Sequence, residues 1–351
     1  MNDIKAAVEA WQQKGEAVAV ATVVGTVGSS PRRVGAKMAV SESGRLAGSV
    51  SGGCVEGAVV EEARRVLRGG GARLLSFGVA DEDAWAVGLS CGGTIEVFVE
   101  PWERPEDPAV PRQQIVRRLA RCLEEELPVA VATVVSGSGV GNKLLADASG
   151  VTAGSLGSVE LDGLASEHAT AHLTSGRSEV VELAGSKVFI EVHLPPPRLI
   201  IIGAVHIAIS LTRLAGELGF RVVVIDARSD FATPDRFREA HELIVGWPDE
   251  VLSKIRLDER SHVVVMTHDP KLDNPALVAA LRSRAPYVGA LGSRKTHERR
   301  VALLLAAGLS SEEIGRIHAP IGLDIGARTP EEIALAIMTQ IVAVRNGRGA
   351  R

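Results

Sequence analysis

The strongest constraint on how this chain folds is an internal repeat. The octapeptide AVAVATVV recurs as PVAVATVV with seven of eight positions identical, and SGRLAGS recurs as SGVTAGS with five of seven identical. A third block, TIEVFVEP, resembles FIEVHLPP. In chain order the matched blocks are 17–24 with 128–135, 43–49 with 149–155, and 94–101 with 189–196. Self-similarity of this kind indicates two copies of one supersecondary unit.

Each copy predicts the same succession of elements. Apolar periodicity indicates a helix, a buried strand, a loop, a hairpin-like pair, a second helix and closing strands. The proline-rich segment 101–112 joins the copies, and three prolines at 195–197 end the second copy. We therefore predict one domain over residues 1–196, built from two related units at about 1–101 and 112–196.

The remainder of the chain, 198–351, has a different pattern. Buried strands such as RLIIIGA, RVVVIDAR and HVVVMTH alternate with segments of helical spacing, and TPEEIALAIMTQIVAV predicts a last helix with Thr329 and Glu332 as a capping box. Strands that alternate with helices indicate a parallel, doubly wound sheet. The predicted fold class is α/β: an internally duplicated α/β amino-terminal domain followed by a Rossmann-like doubly wound parallel-sheet domain.

Composition limits the possible functions. The 351 residues carry a formal net charge of −4 and 3% aromatic side chains, whereas nucleic-acid-binding domains usually present a basic face. The most apolar run, 199–211, is too short to span a membrane, and the first residues lack a signal-peptide pattern. Three cysteines without a CxxC spacing indicate neither a disulfide framework nor a zinc site. We expect a cytoplasmic protein without a nucleic-acid partner.

The two copies differ in the loop after their first matched block. The first copy reads GTVGSSPRRVGAK where the second reads SGSGVGNK, which is five residues shorter. The longer loop offers two hydroxyls and three cations that suit an anion such as phosphate: Ser29, Ser30, Arg32, Arg33 and Lys37. A solvated basic hairpin is the alternative interpretation.

Two cysteines of the first copy are candidates for chemistry, Cys54 in SGGCVEG and Cys91 in SCGGTIEV. Aligning the copies without gaps places Glu160 opposite Cys54 and Ser186 opposite Cys91, so the scaffold does not require either thiol. Structural burial is the alternative for both, and it is the expectation for Cys122 on a predicted helix. We predict chemical roles for Cys54 and Cys91.

The surroundings of Cys54 favour a reactive thiol. A helix is predicted over 55–67, and backbone N–H groups at a helix N-terminus stabilise a thiolate. Gly52 and Gly53 allow a ligand or another segment to approach closely. Glu56 opposes this effect because it adds a negative charge nearby.

The start of the second domain resembles a dinucleotide site. A strand, a turn at Gly203 with His206, a helix, and Asp226 at the end of the next strand have the layout of the Rossmann fingerprint. Val205 stands where the fingerprint has its second glycine, and Ala208 stands at the third. The alternatives are a dinucleotide site and a Rossmann-like domain that binds no dinucleotide or binds one in an unusual pose.

Polar side chains follow the successive strands of this domain, at the edge where open α/β sheets bind ligands. An arginine fork or a lysine there would hold a phosphate. Solvated loop polarity is the alternative, and for the loop 321–330 a structural lid or a dimer contact. The residues concerned are Asp226, Arg228, His268, Asp269, Ser293, Arg294 and Lys295, with Asp324 and Arg328 on the last loop.

Together these motifs resemble the XdhC/CoxI family. GTVGSSPRRVGAKM, GSVSGGCVEG and SCGGTIEVFVE are similar to its amino-terminal domain, and IIGAVHIAISL, VMTHDPKLDNPAL, YVGALGSRKTHERR and IHAPIGLDIGARTPEEIALAI to its Rossmann-type domain. The similarity covers nearly the whole chain. The resemblance implies an accessory factor that binds molybdenum cofactor, supports replacement of an oxo ligand by sulfur, and delivers the cofactor to an apo molybdenum hydroxylase such as xanthine dehydrogenase or carbon monoxide dehydrogenase.

The resemblance also implies roles for particular residues. The family's SGGC, CGG and SxPR loops correspond here to 51–54, 91–93 and 29–32. Cys54 would ligate molybdenum or carry labile sulfur from a cysteine desulfurase, with Cys91 assisting. The residues expected to bind the cofactor are Ser29, Arg32, Lys37, Gly52, Gly53, Gly203, His206, Asp226, Arg228, His268, Arg294 and Asp324. A homodimer is expected.

Two other functions compete with this one. Asp226 as a ribose acceptor would support an NAD(P)-dependent oxidoreductase, although Val205 departs from the fingerprint and from the family's usual G-A-G-H turn. A scaffold whose loops serve only dimer packing is the second alternative.

Overall fold

The computed structural model describes residues 2–28, 32–78, 93–102 and 112–348. The chain forms two compact units, Met1–Pro195 and Pro196–Arg351. Ser29, Ser30 and Cys91, which were predicted as site residues, lie outside the described residues. The predicted α/β fold class is confirmed, with a Rossmann domain in the second unit.

The first unit contains one series of helices and strands twice, in the same chain order and with matching sheets. The first copy consists of α1 (Asn2–Gln13), β1 (Val18–Val27), β2 (Lys37–Ser41), β3 (Leu46–Gly48), α2 (Glu56–Arg65), β4 (Arg73–Phe77) and β5 (Thr94–Trp102). The second consists of α3 (Arg112–Glu124), β6 (Val129–Ser136), β7 (Lys143–Asp147), β8 (Gly150–Ser155), α4 (Val159–Ser175), β9 (Glu179–Leu183) and β10 (Ser186–His193). The antiparallel strand orders, β3-β2-β1-β5-β4 and β8-β7-β6-β10-β9, are equivalent.

Successive side chains of a strand point to opposite faces of its sheet. In both sheets of this unit, each face is buried under a helix. In the first copy, Ala19, Ala21 and Val23 of β1 pack with the side chains of α2. Val18 and Val20 point the other way and pack with α1. The second copy repeats this arrangement with α4 on one face and α3 on the other.

The two copies also pack against each other through equivalent residues. Val24 and Phe98 of the first copy share a buried apolar cluster with Val135 and Phe189 of the second. Such a contact, in which the same patch of each copy meets the other, is the arrangement of an isologous two-fold interface.

The strand register corrects one sequence alignment. Val20 pairs with Glu100 in the first copy, and its equivalent Val131 pairs with Glu191 in the second. VFVE in β5 therefore corresponds to VFIE in β10, so Glu100 and not Glu96 is the counterpart of Glu191. The correspondence of Cys91 with Ser186 depended on matching TIEVFVEP to FIEVHLPP and is wrong.

The second unit is a six-stranded parallel sheet of order β13-β12-β11-β14-β15-β16. Its elements are β11 (Arg198–Ile202), α5 (His206–Glu217), β12 (Arg221–Asp226), β13 (Glu242–Val245), α6 (Pro248–Leu252), β14 (Ser261–Val265), α7 (Pro270–Leu281), β15 (Tyr287–Ala290), α8 (Arg294–Ala306), α9 (Ser311–Gly315), β16 (Ile317–His318) and α10 (Pro330–Arg345). Helices α5 and α10 pack on one face, and α7 and α8 on the other. The capping box of Thr329 and Glu332 is present.

No helix in the described ranges is both long enough and apolar enough to cross a membrane.

Candidate functional site

The loop between β3 and α2, residues 49–55, folds around the carboxylate of Glu56, and we call it the Cys54 loop. Glu56 Oε1 accepts hydrogen bonds from the Ser49 hydroxyl at 2.7 Å and from the N–H groups of Val50, Ser51 and Gly52 at 3.3, 2.9 and 3.0 Å. Glu56 Oε2 accepts from the Gly53 N–H at 2.9 Å and from the Ser51 hydroxyl. One carboxylate therefore organises most of the loop.

These hydrogen bonds keep Glu56 ionised. Burial raises the pKa of Glu56, but donation from the hydroxyls of Ser51 and Ser49 and from the backbone outweighs burial and lowers the pKa to about 2. Gly52 and Gly53 have φ angles of +78° and +121°, which L side chains rarely adopt. The pair of glycines lets consecutive N–H groups turn toward one anion.

Cys54 is a free, half-buried cysteine at the end of this loop. Its side chain packs against the apolar cluster beneath α2. The N–H groups of Cys54 and Val55 both donate to Ser51 Oγ at 3.0 Å. The amides that were expected to stabilise a Cys54 thiolate therefore donate to Glu56 and Ser51 instead.

The second copy confirms that Glu160 is the counterpart of Cys54. Asp162, at the position of Glu56, accepts from the N–H of Leu156 at 2.6 Å, and Leu156 is at the position of Val50. Helix α4 already begins at Val159, whereas α2 begins at Glu56. The second copy thus has helix where the first copy has the loop that carries the thiol.

Arg32 contacts the Cys54 loop. Its Nε donates to the carbonyl oxygen of Ser49 at 3.1 Å. Arg32 is half-buried and Arg33 is exposed. The arginine of the SSPRR segment and the cysteine of SGGC therefore lie on adjoining segments of the first copy.

Lys37 does not join this site, which corrects the prediction that it binds an anion there. Its Nζ is buried and donates to Thr22 Oγ1 at 3.0 Å and to Glu191 of the second copy at 2.9 Å. The reason is strand alternation: Met38 points to the α2 cluster with Cys54, so Lys37 points to the opposite face. Burial raises the pKa of Glu191, but Lys37 and His193 outweigh it and hold that pKa well below its usual range.

In the second unit, the turn after β11 is closed by Asp226. Gly203 has a φ of +108°, and a Cβ added to it would lie 2.5 Å from Thr267 Cγ2. Asp226 Oδ2 accepts from the Ala204 N–H and from Arg228 Nη2, both at 2.7 Å, and Oδ1 accepts from the N–H and Nε of Arg228, both at 2.9 Å. All four acceptor positions of the carboxylate are filled, so a ribose hydroxyl would have to displace Arg228.

The other predicted residues of this unit lie at the carboxyl edge of the sheet. His206 begins α5, Arg294 begins α8, and His268 follows β14; all three are exposed. Asp324 lies on the exposed loop after β16. Arg228 is half-buried, and its guanidinium lies 4.1 Å from the centre of the Phe231 ring.

A buried polar group at the same edge was not predicted from the sequence. Asp273 of α7 accepts from the Thr267 hydroxyl and lies 3.5 Å from Arg300 Nη2. Burial raises the pKa of Asp273 to about 6, against the opposing effects of Thr267, Arg300 and His268. The sequence signal was available in VMTHDPKLDNPAL, where an aspartate occupies an apolar face of a predicted helix.

Within the described residues, no group of three or more histidine, cysteine, aspartate or glutamate side chains could hold a metal ion. The first unit instead contains the half-buried free thiol of Cys54. The loop that carries it accepts a hydrogen bond from Arg32 at the carbonyl oxygen of Ser49.

These features define a protein with a duplicated α/β unit followed by a Rossmann unit. Only the first copy of the α/β unit carries the Cys54 loop. The family description "XdhC and CoxI family" matches residues 11–78 and 122–184, which fall in both copies, and "XdhC Rossmann domain" matches 199–341. The chain belongs to the XdhC and CoxI family.

Individual relatives extend over nearly the whole chain. A Bacillus subtilis protein named as a probable xanthine dehydrogenase component is 27% identical and covers 98% of each chain. The molybdenum cofactor insertion chaperone PaoD of Escherichia coli is 27% identical over 97% of this chain and 87% of its own length. The crystal structure of a xanthine dehydrogenase from Bacillus halodurans superposes with a TM-score of 0.79 at 27% identity, covering 99% of this chain and 97% of the other.

Proposed function

We propose that this protein carries molybdenum cofactor as its cargo, supports the sulfuration of the cofactor, and inserts it into an apo molybdenum hydroxylase. The relative PaoD, which is similar along 97% of this chain, is named a molybdenum cofactor insertion chaperone. Another relative is named as a probable component of xanthine dehydrogenase, a hydroxylase that is a natural candidate for the recipient.

The observation that carries the proposal is the hydrogen bond between Arg32 and Ser49, which joins the SSPRR segment to the Cys54 loop. It brings a cation next to a loop with a half-buried thiol. A thiolate is a soft ligand suited to molybdenum and sulfur, and an arginine fork suits an anionic phosphate. A metal that arrives on its own organic ligand needs fewer protein ligands than a resident metal does.

Cys54 either ligates molybdenum directly or holds sulfur that a cysteine desulfurase supplies. Either role requires a thiol that approaches the metal of the cargo. Cys91 is proposed to assist, and Ser29 is proposed to contact the phosphate beside Arg32. In the Rossmann unit the proposed contacts to the cargo come from the exposed edge residues His206, His268, Arg294 and Asp324 and from Arg228.

The test is retention of molybdopterin by the purified protein. We expect the wild-type protein to retain it and Cys54→Ala to lose most of it. Cys122→Ala is the matched control, because Cys122 is buried in α3. Equal retention by the wild-type protein and Cys54→Ala would remove Cys54 from this role, and no retention by the wild-type protein would refute the cargo.

Delivery is tested separately by adding the loaded protein to an apo molybdenum hydroxylase and measuring recovered activity. A loaded wild-type protein that restores no more activity than free cofactor would contradict insertion. Sedimentation of the purified protein tests the proposed homodimer, for which a monomer at all concentrations would be the contrary result.

The NAD(P)-dependent reaction is the rival function. The positive φ of Gly203 is compatible with a nucleotide turn, but the saturated carboxylate of Asp226 opposes a ribose contact. Titration of NAD and NADP by calorimetry distinguishes the two functions, because binding at micromolar affinity would support the NAD(P)-dependent reaction.

A further inference from the structure

We propose that Glu56 is the positioning residue of the cargo site: it fixes the Cys54 loop and thereby the direction of the Cys54 thiol. The consequence for cargo rests on the proposed function, whereas the effect on the thiol is independent of it.

The first step is the number of donors that one carboxylate collects. Four consecutive N–H groups, from Val50 to Gly53, and two serine hydroxyls converge on Glu56. Convergent backbone N–H groups of this kind usually form a nest for an external anion. Here the anion belongs to the chain itself, so the loop is closed before any ligand arrives. Hydrogen bonds to a charged acceptor are stronger than neutral ones, which makes this closure stable.

The second step connects Glu56 to Cys54 through Ser51. The Ser51 hydroxyl donates to Glu56, and its oxygen accepts from the N–H groups of Cys54 and Val55. Ser51 is 1% exposed, so water does not readily replace these bonds. A change at Glu56 is therefore transmitted through Ser51 to the backbone of the cysteine.

The third step is the comparison with the second copy. Asp162 stands at the position of Glu56 and takes the equivalent amide, that of Leu156. Its side chain is one methylene shorter, and the residues that correspond to 53–55 are part of helix α4 there. The longer carboxylate thus occurs in the copy whose loop carries Cys54, and the shorter one occurs in the copy where helix α4 replaces that part of the loop.

Two functions of Glu56 make different predictions. If Glu56 acted only through its charge, Glu56→Asp would preserve its effect. If it acts by position, Glu56→Asp keeps the charge but loses the reach to Gly52 and Gly53, and it should behave like Glu56→Gln. Asp162→Asn is the matched control, because it removes the corresponding carboxylate from the copy in which Glu160 stands at the position of Cys54.

The experiment measures alkylation of Cys54 by iodoacetamide across a pH series, with peptide mass spectrometry to separate Cys54 from the other two cysteines. We expect Glu56→Gln and Glu56→Asp each to accelerate alkylation by about fivefold or more near pH 7, because the thiol is released from its packing against the apolar cluster and becomes accessible. Asp162→Asn should stay within about twofold of the wild-type rate. Molybdopterin retention, measured on the same samples, should fall in both Glu56 variants and not in the control.

The outcomes separate the two proposals. Unchanged alkylation and unchanged pH dependence in both folded Glu56 variants would overturn the positioning role. A wild-type alkylation profile for Glu56→Asp alone would assign the effect to charge and would overturn it equally. Faster alkylation in both variants, with no cofactor retained even by the wild-type protein, would leave the positioning role standing and refute the proposed cargo. If Glu56→Gln does not fold, Glu56→Asp decides.

Discussion

Lys37 and Glu191 belong to different copies of the repeat, and their charged groups lie 2.9 Å apart in the interface between the copies. The equivalent residues make the reciprocal contact: Lys143 of the second copy lies 2.8 Å from Glu100 of the first. Each lysine also donates to a threonine of its own sheet, Thr22 or Thr133. The copies are thus joined by two crossed ion pairs related by pseudo-two-fold symmetry.

Breaking one crossed pair should destabilise the first unit. Lys37→Met leaves Glu191 buried without its lysine partner, so we expect the free energy of unfolding to fall by about 3–5 kcal/mol. Restoring neutrality with Lys37→Met/Glu191→Leu should recover much of that loss, because both charges are removed together. Urea denaturation measures both. Glu61→Gln, which breaks an exposed pair with Arg64, is the control and should cost less than about 1 kcal/mol. With Glu191→Leu measured as the second single variant, a double variant as unstable as the two single losses combined would contradict coupling.

Gly203→Ala should destabilise the Rossmann unit. The residue would carry a Cβ at a φ of +108° and at 2.5 Å from Thr267 Cγ2. We expect a loss of about 1–3 kcal/mol from backbone strain together with the clash. Gly216→Ala is the matched control: it lies in α5 with nothing within 4 Å of the added atom, so it should stabilise by about 0.5–1 kcal/mol. Thermal unfolding of the two variants should shift in opposite directions.

Gly53→Ala tests the backbone of the Cys54 loop. A Cβ at this position meets no atom within 4 Å, so the cost comes from the φ of +121° alone. We expect a modest loss of stability, about 1–2 kcal/mol, and altered alkylation of Cys54. Gly57→Ala in α2, which also meets nothing within 4 Å, should leave alkylation unchanged. Identical alkylation by both variants would show that the left-handed conformation does not control the thiol.

Asp273 should make the stability of the second unit depend on pH. Its pKa is about 6 in the folded protein against an ordinary value of 3.8. Between these values the folded state binds a proton that the unfolded state has released, so stability should fall as pH rises from about 4 to about 6. Asp273→Asn should lack this fall, and Asp269→Asn, which changes an exposed N-cap, should retain it. Urea denaturation at successive pH values gives the comparison. Parallel curves for the wild-type protein and Asp273→Asn would contradict the assignment.

Much of the fold was predictable because local patterns encode it. The recurrence of AVAVATVV predicted the duplicated unit, and the alternation of buried strands with helices predicted the parallel sheet. The correspondence of Cys54 with Glu160 followed from a gapless alignment and is confirmed by Glu56 and Asp162, which accept from the equivalent amides of Val50 and Leu156. The alignment of the closing strands failed because the short IEV match competed with the match of VFVE to VFIE, and only strand pairing shows that the second match is correct.

The candidate site was less predictable, because side-chain partners depend on direction as well as sequence. The sequence by itself determined the duplication, the Rossmann class, and which loops carry the thiol and the arginines. Tertiary structure alone decided that Lys37 faces Glu191, 154 residues away, and that Arg228 fills the carboxylate of Asp226. It also decided that the N–H groups of Gly52 and Gly53, just before α2, donate to Glu56. The physical reason is that hydrophobic periodicity depends on residues that are close together in the sequence. The partner of a charge or an amide instead depends on which residues the packed chain brings within hydrogen-bonding distance.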